Sequence, residues 1–190
     1  MLLLITIKPP KNGLVAHYTE IANNVSLPII IYNVPGRTGV NILPETCLEL
    51  SNLSNIVAIK EASGNISQVA KISSLCGNRL QIYSGNDDQI LPILSLGGIG
   101  VISVFANILP NEVHNLIQQF QEGNIKEALY IQNKYLPLIN QLFCEVNPIP
   151  VKQALNILGY NVGIPRLPLI KLSNQNEEDL TIMLQNYKIL

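Results

Sequence analysis

Three residues of this chain have the types and settings for amine chemistry at a carbonyl. Lys60 ends the apolar, β-branched run NIVAIK (55–60) and is followed at once by Glu61 and a small-residue turn. An ammonium held against an apolar wall loses hydration, its pKa falls, and the neutral amine that results can attack a carbonyl and form an imine. Tyr32 ends the preceding apolar run, LPIIIYN (27–33), and a phenol there can relay protons while a carbinolamine forms and collapses. Arg37 follows in a Pro-Gly turn, a loop placement from which a planar guanidinium can grip a carboxylate through two parallel hydrogen bonds. Each residue also has a plainer reading. Lys60 can snorkel to solvent or pair with Glu61, Tyr32 can be a core aromatic with a satisfied hydroxyl, and Arg37 can be a surface loop residue.

The elements that must position these groups are legible as an alternation. Four runs, 27–33, 55–60, LQIYSG (80–85) and GIGVISV (98–104), have the length, β-branching and continuous hydrophobicity of strands buried on both faces. Between them LPETCLELSNL, NISQVAKISSLC and DDQILPILSLG carry apolar residues at helical spacing. Pro44 and Glu45 suit a helix first turn, and Asn86, Asp87 and Asp88 are cap candidates for the helix that Gly97 and Gly98 close. Strand, helix, strand in repetition predicts parallel strands, in a doubly wound sheet or a (β/α) barrel, with side chains at the C-terminal strand ends facing the ligand crevice. Beyond the last strand the pattern is helical: to Glu122, from Ile125 to about Phe143, from Val151 to Leu158 and from Glu177 to Tyr187. Division into a barrel part (1–122) and an appended helical subdomain (123–190) follows. A fifth strand at LLLITI is doubtful, whereas a closed barrel needs eight strands and typically ~250 residues.

Bulk properties narrow the partners. Of 190 residues 47% are hydrophobic and 13% charged, and the net charge is −1, with Lys and Arg scattered, so no basic footprint for nucleic acid or an anionic membrane is present. Cys47, Cys76 and Cys144 lack Cys-x-x-Cys spacing and fit small buried hydrophobes in a reducing cytosol. No metal site is expected. The apolar start MLLLITI has neither a basic region nor a cleavage site, and no run reaches the ~18 apolar residues of a bilayer span, so a cytoplasmic chain is expected. GGIG (97–100) precedes a strand, which makes it a tight turn and not a phosphate loop. His17 and His114 sit in helical contexts as surface or core imidazoles.

Taken in order, YNVPGRTG, IKEASGN, YSGNDDQILPILSLGGIGVISVFANI and NPIPVKQAL resemble the dihydrodipicolinate synthase family of pyruvate-dependent class I aldolases, from about Gly13 to the C-terminus. The resemblance implies a (β/α)8 barrel with a C-terminal helical domain, assembled as a homotetramer, acting in lysine and diaminopimelate biosynthesis without metal or organic cofactor. It assigns Lys60 to a Schiff base with pyruvate, Tyr32 to proton relay and Arg37 to the carboxylate of aspartate semialdehyde. Gly85 and Ile102 fall at positions that line the pyruvate pocket. Sugar-acid lyases of the same superfamily keep the tyrosine and lysine but generally lack the arginine, which favours the synthase. The family's glycine-threonine-threonine-glycine-glutamate loop and its threonine-proline-tyrosine-tyrosine segment have no counterpart here. The expectation is a chain that corresponds to roughly the C-terminal two-thirds of the enzyme, from about the fourth strand. An inactive remnant, or a piece completed by a separate N-terminal chain, are the alternatives.

Overall fold

A computed structural model describes residues 9–190. The doubtful strand at LLLITI lies outside the described residues. The chain divides into two compact units, residues 1–102 and 103–190, a division that falls earlier than the boundary expected at 122.

In the first unit, helix α1 (Lys11–Asn24) leads into strand β1 (Ile29–Asn33), a single helical turn α2 (Pro35–Thr38) and helix α3 (Pro44–Leu50). Strand β2 (Ile56–Glu61), helix α4 (Ile66–Cys76), strand β3 (Gln81–Ser84), helix α5 (Ile90–Ser95) and strand β4 (Gly100–Val101) complete it. The four strands are parallel in the order β1-β2-β3-β4. A doubly wound sheet reverses its strand order and carries helices on both faces. Sequential order with one covered face is instead the wall of a (β/α) barrel, present here in part.

Local chemistry explains the helix starts. Pro44 stands at the first position of α3 with Glu45 in its first turn, where the missing N–H costs nothing and the dipole favours an acid. Asn65 caps α4 by accepting from the Gln68 N–H at 3.0 Å. The expected Asn86, Asp87 and Asp88 cap differs. Asn86 precedes a 3-10 turn over Asp87–Gln89 without a side-chain cap bond, and α5 starts only at Ile90. Gly97 and Gly98 form the tight turn read from GGIG: Gly97 has φ +91° and the Gly98 N–H returns to the Ile93 carbonyl at 2.9 Å. That turn delays the last strand, so β4 has two residues where seven had the composition for it.

One face of the sheet is the core. Ile31, Ile56, Ile59 and Ile82 pack with Ala22 of α1, Cys47 and Leu50 of α3, and Val69, Ile72 and Cys76 of α4. Burial on both faces was expected from the apolar runs; β2 keeps it, with Ala58 and Ile59 both buried, and β1 does not. Along β1, Ile31 and Asn33 are buried while Ile30 and Tyr32 are exposed. The period-2 alternation of a strand puts Tyr32 and Lys60 on the face that these helices do not cover. Cys47 and Cys76 are buried as expected, with thiol pKa values pushed up chiefly by that burial, but Cys144 is exposed.

The second unit is helical: α6 (Pro110–Gln121), α7 (Ile125–Gln141), α8 (Ile149–Ile157) and α9 (Asn174–Asn186). Val113, Leu116, Ile131, Leu138, Ala154 and Leu180 are among its buried side chains, and Tyr135 lies between Phe105 and Tyr187 at centroid distances of 5.4 and 5.3 Å. Glu145, read as part of a helix-ending turn, reaches the start of α9. It accepts from the Ser173 backbone N–H at 3.0 Å and from Asn176 Nδ2 at 2.8 Å. No helix among the described residues is long and apolar enough to cross a membrane.

Two outcomes are expected. Ile59 is fully buried at the sheet centre, so Ile59→Ala should lower stability by about 2–5 kcal/mol in urea unfolding through loss of transfer energy and the cavity left behind. The side chain of Asn176, then the Ser173 N–H, hold the Glu145 carboxyl below its ordinary value of 4.5. A depressed carboxyl contributes stability that is complete above 4.5 and is lost as pH falls through the folded value. The protection of amides in the first turn of α9, measured relative to their intrinsic exchange rates at each pH, should therefore fall on acidification below that range, and Glu145→Gln should flatten the dependence.

Candidate active site

The C-terminal ends of the strands carry the residues that the sequence singled out. Parallel pairing sets Tyr32 opposite Lys60 and Lys60 opposite Tyr83. Because all three lie at the same level of the pleat, their side chains leave the sheet on one side. The Lys60 Nζ sits over the Tyr32 ring, 4.4 Å from its centroid. That distance is within cation–π range, an interaction worth about 0.5–2 kcal/mol.

Gly85 extends the ladder past β3, its N–H donating to the Glu61 carbonyl at 2.8 Å. It has to be glycine. A Cβ there would lie 2.7 Å from Ala62 Cβ, 3.1 Å from the Glu61 oxygen and 3.2 Å from Lys60 Cε. The missing side chain is the space along which the lysine stem runs. Ile102 extends the next ladder, donating to the Ser84 carbonyl at 2.9 Å, with its side chain 38% exposed. Arg37 is exposed in α2, directly after β1.

Electrostatics at Lys60 has three parts. Partial burial lowers its pKa below the ordinary lysine value, the Asp87 carboxylate raises it, and the Arg37 guanidinium lowers it again. The net direction is down, toward a larger share of neutral amine. Tyr32, Lys60 and Gly85 are thus brought into direct proximity, Arg37 acts at Lys60 through its charge, and Ile102 stands at the adjoining strand end. A cavity of about 600 Å³ adjoins this rim, bounded by Leu14, His17, Tyr18, Tyr32, Thr38 and Val40. His17 lines it as an exposed imidazole edge-on to Tyr18, whereas His114 is exposed on α6, in the other unit.

The plainer reading of Lys60 as the partner of Glu61 does not survive. Glu61 points to the opposite face, is 1% exposed, and accepts from Asn33, Ser63 and Gln68. Asp87 was read only as a cap candidate. It is 2% exposed, and its charge reaches the lysine. Nothing in the string NDDQ separates Asp87 from exposed Asp88. Asn33 and Glu61 did carry a signal, since each follows a candidate site residue by one position and so falls on the core side of its strand. Among the described residues no group of three or more His, Cys, Asp or Glu side chains is disposed to hold a metal ion.

Comparison with known proteins matches this arrangement. Residues 6–187 fit the family model described as the dihydrodipicolinate synthetase family. The 4-hydroxy-tetrahydrodipicolinate synthase of Caldicellulosiruptor saccharolyticus is 59% identical over 182 residues, which is 96% of this chain and 61% of that protein. One from Clostridium acetobutylicum is 54% identical over 183 residues, 96% of this chain and 62% of that protein. Among solved structures, dihydrodipicolinate synthase from Thermotoga maritima superposes with a TM-score of 0.93 at 41% identity, over 96% of this chain and 63% of that one. The enzyme from Aquifex aeolicus gives 0.93 at 40% identity, over 96% and 62%. The chain therefore spans about 61% of the length of its curated relatives. With parallel strands in sequential order, a lysine seated on a tyrosine at their ends, and a family match over nearly every residue, the chain belongs to the dihydrodipicolinate synthetase family.

Proposed function

We propose that Lys60 is the amine that forms a Schiff base with pyruvate, in a condensation with aspartate semialdehyde that yields 4-hydroxy-tetrahydrodipicolinate. The observation that carries this reading is the seating of the Lys60 Nζ over the Tyr32 ring, with its pKa lowered first by burial. The neutral amine attacks the ketone carbon of pyruvate. A proton passed through the Tyr32 hydroxyl lets the carbinolamine lose water, leaving a protonated imine. That imine is the electron sink: loss of a methyl proton gives an enamine, whose carbon attacks the aldehyde of the second substrate. The amine of that substrate then closes the ring on the imine carbon and expels Lys60.

In this scheme Arg37 grips the carboxylate of aspartate semialdehyde, using the exposure and charge it has in α2. Gly85 supplies the space beside the lysine stem, and Ile102 an apolar wall for the pyruvate methyl. The steps draw on no metal or organic cofactor. The same reading carries the family's homotetrameric assembly, a cytoplasmic setting and a place in lysine and diaminopimelate biosynthesis. Arg37 favours it over the sugar-acid lyases, which generally lack this arginine and take a different second substrate.

The test is reductive trapping. Incubation of the chain with pyruvate and borohydride is expected to add one reduced pyruvate at Lys60, located by peptide mass spectrometry, and Lys60→Ala should abolish the adduct. Failure of the chain to take any pyruvate at Lys60 favours an inactive remnant. Tyr32→Phe keeps the ring beneath the ammonium but removes the relay, so trapping should slow by about 10²–10⁴-fold, the usual range for a positioned acid–base group. Gly85→Ala should also slow trapping, because the added methyl meets Ala62 and the lysine stem at the separations given above.

A further inference from the structure

On the core side of the strand ends lies a buried polar network that the proposed chemistry leaves unused. Asn33 and Glu61, each one residue beyond Tyr32 and Lys60, are both 1% exposed. The Glu61 carboxylate accepts from Asn33 Nδ2 at 2.9 and 3.1 Å, from the Ser63 N–H at 2.6 Å and from Gln68 Nε2 at 3.3 Å. Asn33 is engaged further: its Oδ1 accepts from the Ile42 N–H at 2.9 Å, and its Nδ2 also donates to Asn41 Oδ1 at 2.9 Å. The amides of Asn41 and Gln68 exchange bonds at 2.8 and 3.1 Å. The network joins the ends of β1 and β2 to residues 41–42 and to the first turn of α4.

A carboxylate removed from water is costly even when its oxygens are satisfied, and replacing buried charge by apolar packing is often neutral or stabilising. Stability alone is therefore a poor account of Glu61. Geometry is a better one. Successive residues of a strand project to opposite faces, so locking residue 33 to residue 61 on the core side fixes residue 32 against residue 60 on the open side. We propose that Glu61 is a positioning residue whose carboxylate, through Asn33, holds the ends of β1 and β2 so that the Tyr32 ring stays beneath the Lys60 ammonium. The proposal rests on the reading of Lys60 as the imine-forming amine, and its test includes a measurement that needs no pyruvate.

That measurement is the pH dependence of Lys60 acylation by acetic anhydride, read by peptide mass spectrometry. The groups bearing on Lys60 are the Tyr32 ring, Tyr83 opposite it on β3, and the charges of Asp87 and Arg37. None of these is altered in Glu61→Gln. The introduced amide turns an N–H toward the Asn33 donor, the strand ends part, the ammonium regains hydration, and the labelling midpoint is expected to rise toward 10.5. Trapping by pyruvate and borohydride should slow on the order of 10- to 100-fold, as for a small misplacement of reacting groups.

The double variant Asn33→Asp/Glu61→Gln reverses the donor and acceptor. Its amide at 61 donates to the carboxylate at 33, whose second oxygen still accepts from the Ile42 N–H, and both readouts should return toward the parent. A folded Glu61→Gln with unchanged labelling and trapping, or one changed only in its unfolding midpoint, overturns the proposal. If that variant does not fold, Asn41→Ala at the exposed end of the network takes its place: a smaller upward shift supports the proposal and none overturns it. A parent chain that takes no pyruvate defeats the Schiff-base reading, while the labelling comparison still decides the role of Glu61.

Discussion

The register between β1 and β2 is the constraint from which the site follows. Parallel pairing of Tyr32 with Lys60 sets a phenol ring and an ammonium on neighbouring strands at one height. An antiparallel neighbour would send its chain end to the opposite edge, and a slip of one residue would turn every side chain of that strand to the other face. With the register as it stands, the lysine and the ring start at one height, and what remains is to hold the strand ends together. The pairing is in turn secured by the apolar half of each strand. Ile31, Ile59 and Ile82 fit the helical layer only when their alternate residues face the other way.

The sheet therefore separates two kinds of chemistry by a single peptide step. Its core face holds close-packed aliphatic residues and, at the strand ends, a satisfied polar cluster around Glu61. Its other face holds a lysine whose amine is made more available by partial burial. An acid and an amine adjacent in sequence would neutralise each other if both faced the same way. On opposite faces of a strand, Glu61 spends its acceptor capacity on amide donors and leaves Lys60 to the aromatic ring.

Much of this is legible in the sequence. The strand–helix alternation, the parallel order and the placement of Lys60 and Tyr32 at strand ends follow from hydrophobic period and turn residues, which act over a few positions. What the sequence hid depends on distant packing. Continuous apolar runs suggested strands covered twice, but Ile30 and Tyr32 stand exposed. GIGVISV had the composition of a full strand, yet the return of Gly98 to Ile93 occupies its first residues and leaves only Gly100 and Val101 in the sheet. Asp87 and Asp88 are the same residue type in the same turn, and only tertiary packing buries the first and exposes the second. Glu61 was legible as a neighbour of Lys60, and the alternative that paired the two ignored the period of the strand that contains both.

The origin of the low pKa at Lys60 bears on how robust the site is. Arg37 lowers it and Asp87 raises it, so the two charges act against each other, and the larger cause is burial. Interactions with an exposed charge such as Arg37 weaken as salt shortens the Debye length from ~10 Å at 0.1 M to ~3 Å at 1 M. Loss of hydration is not screened in that way. It depends on where the ammonium sits, hence on the ring beneath it, on the methyl-free space at Gly85 along its stem, and on the strand ends that carry all three. Reactivity with such an origin is a property of backbone position more than of neighbouring charge. A chain that relies on it gains more from a rigid, uncharged-donor cluster under the strand ends than from another ion pair beside the amine.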